Sequence, residues 1–133
     1  MTNAYRTDRV AYVNGVDSSD PIAVVMKPAE TLAIPGANGA VPANIVTTIV
    51  SFTNTGTPFY FDGWLGTGQY EGDWFVAIDS VTSPEDRSSA STMRAGTQFT
   101  SPRRIEVGSI IDIKVEHYGS ATGQFSATIF GHR

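Results

Sequence analysis

Between residues 110 and 117 the chain alternates, with Ile111, Ile113 and Val115 apolar and Asp112, Lys114 and Glu116 between them. A period of two puts successive side chains on opposite faces of a strand, so this segment predicts one dry and one wet face. Phe125, Ala127 and Ile129 alternate in the same way with Gln124, Ser126 and Thr128. With the turn-rich residues 118–123 between them, the two segments predict an antiparallel pair whose dry face carries those six apolar residues.

Residues 43–53 are apolar on both faces, Val46, Val50 and Phe52 on one and Ile45 and Ile49 on the other. A doubly buried strand normally needs covering helices. With none in prospect, the second face is expected to meet the N-terminal segment or another subunit. In residues 59–79, FYFDGWLGTGQYEGDWFVAID, Phe59, Phe61 and Leu65 share one parity, and Trp74, Val76 and Ile78 share another. The glycine-rich residues 66–72 between these sets read as a chain reversal. Residues 28–42 carry three prolines and two glycines with little periodicity and read as loop. The only helical signal is a short turn at 83–90, with Ser83 as cap and Pro84 at the first position.

Eight strands are expected near 9–13, 22–27, 43–53, 58–64, 73–79, 95–100, 104–106 leading into 109–118, and 124–130. Short strands without helices predict an all-β, antiparallel two-sheet β-sandwich, a jelly roll ahead of an immunoglobulin-like arrangement. Residues 1–42 form a loop-rich N-terminal arm with a strand pair, and 43–133 the sandwich body.

At 133 residues the chain is one domain, long enough to bury an ordinary core. Only 17% of residues are charged and the formal charge is −4, which opposes nucleic-acid binding through a basic stripe. Arg103 and Arg104 are the one adjacent basic pair and read as surface residues. There is no cysteine, so disulfides and thiolate metal sites are excluded. No signal peptide or apolar membrane span is read, and synthesis in a cytoplasm is expected.

One ring-bearing set invites a function. Trp64, Tyr70 and Trp74, with Asp62, Gln69 and Asp73, supply the inventory of a sugar-binding loop: rings to stack on a pyranose, and polar groups for its hydroxyls. The competing reading puts the tryptophans in the core, where large aromatics dominate burial; it weighs about two to one. The acidic residues Asp62, Glu71, Asp73 and Asp79 lack calcium-loop spacing and read as solvated turns. G-x-G-x-x-x-G at 66–72 precedes a strand where a dinucleotide site needs a helix. His117 reads as a satisfied structural histidine, and His132 is penultimate. With no catalytic motif, no enzyme, cofactor or metal is expected.

The run from Phe99 to Gly131, F-x-S-P-x-x-I-E-V-G-S-I-I-D-I-K-V-E-H-Y-G-S…G-x-F-S-A-T-I-F-G, resembles the closing strands of small β-sandwich proteins of tailed-phage virions. Capsid decoration (cement) proteins and fibre heads are the groups meant; trimerising jelly rolls of the complement C1q and tumour-necrosis-factor kind share the pattern. The resemblance implies a non-enzymatic structural virion protein that reinforces the outside of a phage head. Its partners would be the major capsid protein and further copies of itself, with a trimer favoured. Ile45 and Ile49, with Tyr5, Arg6, Arg9 and Tyr12 of the arm, are the candidate oligomer or shell contacts. The alternative is a carbohydrate-binding module or receptor-binding fibre head using the aromatic loop around Trp64 and Trp74. A fibre head would bind surface glycans.

Overall fold

A computed structural model describes residues 30–89 and 93–133. The described residues form eight strands: β1 (Thr31–Val41), β2 (Thr47–Thr53), β3 (Phe59–Gly68), β4 (Gly72–Ile78), β5 (Val81–Arg87), β6 (Arg94–Ile105), β7 (Ile110–His117) and β8 (Gly123–His132). They build two antiparallel four-stranded sheets, ordered β1-β8-β3-β6 and β2-β7-β4-β5. Only β4 and β5 are both consecutive and paired; every other connection crosses from one sheet to the other. That order is a jelly roll, which settles the choice against the immunoglobulin-like arrangement.

The sheets close over one core that includes Phe59, Phe61, Trp64, Trp74, Ile113 and Ile129. Burying each large side chain contributes about 1.5–3 kcal/mol, so the inward parity of the strands is strongly specified.

Several expectations are corrected. The strands at 110–117 and 123–132 do not pair with each other. β7 lies between β2 and β4, and β8 between β1 and β3. Their six predicted apolar residues are all buried, but they face one another across the core. Alternation decides which way a side chain points, and leaves the partner strand open.

Residues 31–41, read as loop, form edge strand β1 against β8. Leu32 and Ile34 turn inward and pack on the core, while Pro35 is tolerated because β1 pairs on one side only among the described residues. The region read as a helical turn is edge strand β5, with Pro84 and a register shift at Glu85. A long-range ladder overrides the local helix-start signal there.

The doubly apolar segment has a local cause. A register shift between Thr48 and Val50 turns both Ile49 and Val50 into the core. Ile49 is therefore not a partner-facing residue, whereas Ile45, in the turn before β2, is 56% exposed. The expected strands at 9–13 and 22–27, and Tyr5, Arg6, Arg9 and Tyr12, lie outside the described residues.

Candidate functional site

The aromatic loop is mostly core. Trp64 is 1% exposed and Trp74 0%, with ring centroids 5.6 Å apart, and Trp74 also meets Phe125 edge-on. Neither indole offers a face to a ligand, so the tryptophans lie in the core, as the favoured of the two readings has them, and the alternative of a sugar platform on Trp64 and Trp74 is set aside. Trp74 Nε1 donates to the buried Ser88 hydroxyl at 3.4 Å, while Trp64 Nε1 is buried without an acceptor among the described residues. Tyr70 is half-buried, stacked on His117 at 5.1 Å and closely flanked by Gly119 and Gly123.

His117 is fully buried, between the Val41 carbonyl at Nε2 (2.8 Å) and the Gly119 N–H at Nδ1 (3.0 Å). A ring that accepts at Nδ1 and donates at Nε2 is the Nε2–H tautomer, a structural clamp across the two sheets. Gln69 Oε1 accepts the Gln124 N–H and fastens the turn after β3.

The acidic residues disperse. Asp73 binds Arg87 at 2.7 Å and accepts the Tyr118 hydroxyl at 2.6 Å. The hydrogen bond to the Asp73 carboxylate is the main cause that pushes the Tyr118 hydroxyl up to about 12, with desolvation and carboxylate charge adding to it. Asp79 holds the Ser109 hydroxyl and the Ile110 N–H. Asp62 pairs with His132 at 2.8 Å, each side chain about one-third exposed. Among the described residues no three acidic or imidazole groups converge for a metal.

Asp62 sits at a break in the central strand β3. The registers with both β8 and β6 run from Phe61 to Gly63 and skip it. This bulge reverses the parity read from sequence: Trp64 turns in and Leu65, grouped with Phe59 and Phe61 by spacing, turns out. The outer face of that sheet then has the cross-strand rows Ala33–Phe130–Gly63–Gln98 and Pro35–Thr128–Leu65–Gly96, without a charge in either. The opposite sheet's outer face carries Asp73, Asp112, Lys114 and Glu116.

In the first row Gly63 leaves a pit of about 330 Å³ whose lining includes Asp62, Leu65, Gln98 and Phe130. His132, Phe130 and Gln98 were missed as site residues. Counting on from Phe125, the even positions of β8 face out, so the alternation that found the core would, carried on to residue 132, have placed Phe130 and His132 outward.

At the end of the sandwich where residue 30 enters, Glu30 and Arg133 exchange two backbone hydrogen bonds. Arg133 also reaches Asn54, whose main chain bonds the β6–β7 turn at Gly108 and Ser109. That turn and the β4–β5 turn joined to it through Asp79 bear Val107, 57% exposed, and the flanking Val81, 75% exposed, with Ile110 beside them. The sequence matches no protein-family model and no curated protein.

Proposed function

We propose that this protein is a non-enzymatic structural component of a tailed-phage virion, a decoration protein that binds the outside of the assembled head as a homo-oligomer, with a trimer favoured. The observation that carries the reading is the apolar end of the jelly roll: Val107 in the β6–β7 turn, with Val81 and Ile110 at the first positions of β5 and β7, is exposed at the same end of the sandwich as the Glu30–Arg133 pair. Isolated exposed apolar residues are ordinary, but three together at one end suit a docking surface. The jelly roll's hydrogen-bonded body would project away from the shell.

The test is co-sedimentation of the full chain with heads assembled from the major capsid protein encoded in the same genome. Wild-type protein should pellet with them at a fixed ratio, and a Val81→Lys/Val107→Lys variant with unchanged tryptophan emission should stay in the supernatant. A wild-type chain that never pellets refutes the decoration role. A double variant that pellets at full occupancy refutes the assigned end.

A further inference from the structure

The pit beneath Asp62 has the chemistry of a ligand site, and we propose that it binds one pyranose ring of a glycan. The inference is separate from head attachment, because the pit lies on a sheet face and the exposed valines lie at the end of the sandwich.

A bulge in a central strand leaves a residue unpaired on both sides, and bulges recur where a side chain must be re-aimed. Here the re-aimed residue is Asp62. Its Oδ2 is held by His132, which stacks on Tyr60 at 5.3 Å, so the carboxylate is fixed while Oδ1 has no partner among the described residues. Gln98 lies on the neighbouring strand, exposed, and its amide has no partner among the described residues. Phe130 and Leu65 give apolar walls. Gly63 is fixed at the floor, since a Cβ there would lie 2.4 Å from the Thr97 carbonyl oxygen. The vacant space is therefore built into the backbone.

No lysine or arginine lines the pit, and its one carboxylate repels anions. A neutral polyol suits it better. A pyranose presents an apolar C–H face to Phe130 and Leu65 and adjacent hydroxyls to an acceptor at Asp62 and a donor–acceptor amide at Gln98. A volume of about 330 Å³ holds one such ring and leaves the rest of a glycan outside.

The experiment is a ¹⁵N–¹H NMR titration of the full chain with methyl β-D-glucopyranoside, methyl β-D-galactopyranoside and methyl α-D-mannopyranoside, each to about 50 mM. At least one should shift the amides of residues 62–65, 96–98 and 130 with a dissociation constant on the order of 1 mM, as expected for so small a ligand. Gln98→Ala and Asp62→Asn should each weaken it about tenfold, and Lys114→Ala on the opposite face should not change it. Gln98 is exposed and its side chain loses no partner among the described residues, so its variant is expected to keep the fold and the comparison stays informative. No saturable shift with any of the three sugars, shifts confined to other surfaces, or undiminished binding by Gln98→Ala would each overturn the proposal.

Discussion

Asn54→Ala probes how the end of the sandwich is closed. The residue is fully buried, and its Nδ2 donates to the carbonyls of Thr57 at 3.1 Å and Ile105 at 3.0 Å. Its Oδ1 accepts from Arg133 Nη2 at 2.8 Å and, more weakly, from the Gly56 N–H at 3.4 Å. Alanine keeps the main-chain bonds to Ser109 and Gly108 and deletes these four. The Ile105 carbonyl loses its side-chain donor in a dry setting, at a cost of about 1–3 kcal/mol. The other three partners are only partly buried and can turn to water, so each loss costs about 0.5 kcal/mol. The total is about 3 kcal/mol, a large part of a domain's stability. Equilibrium urea unfolding followed by tryptophan emission should show the midpoint falling by about 1.5 M if the slope is about 2 kcal/mol/M. Asn54→Asp has the same shape and keeps the acceptors, but sets an oxygen against two carbonyls; at neutral pH it should lose at least as much, despite Arg133. A loss below about 1 kcal/mol for alanine would falsify the latch, and so would an aspartate variant as stable as the parent.

Three further outcomes follow from local geometry. Asp79 and Ser80 both have positive φ, 51° and 71°, in the β4–β5 turn, so Ser80→Gly should raise stability by about 0.5–1 kcal/mol in the same assay; a decrease would mean that the hydroxyl matters more than the backbone. A Cβ at Gly66 would lie 2.6 Å from the Trp74 ring, so Gly66→Ala should cost about 1–3 kcal/mol, and less in a Trp74→Phe background; strictly additive losses would argue against this contact. Tyr118 should ionise near pH 12 in an ultraviolet absorbance titration, and Asp73→Asn should bring it back toward the ordinary 10.0. Because the folded value is raised, the hydroxyl–carboxylate bond contributes fully below the unfolded value and is lost as pH rises through the folded one. Titration of all tyrosines together near the ordinary value would rule the bond out.

The sequence by itself determined the class of fold and most inward-facing positions. Alternation is set by the strand's period of two, and it identified Ile111, Ile113, Val115, Phe125, Ala127 and Ile129 as core before any partner was known. Carried on to residue 132, the same counting would have placed Phe130 and His132 outward, so part of the pit was legible though it was not read. Which strand each one joins was not, because a dry face fits any other dry face. β7 and β8 could have formed a hairpin, and only the closure of two sheets separates them.

Bulges were equally invisible. One extra residue at Asp62 exchanges the roles of Trp64 and Leu65, and one at Ile49 turns a two-faced strand into a one-faced one. Edge strands β1 and β5 were hidden by prolines and small residues, whose local preferences are worth less than a ladder and a packed face. Asn54 and His117 show the same limit: a polar residue is buried where distant backbone groups need its hydrogen bonds, and those groups come together only in the folded sandwich.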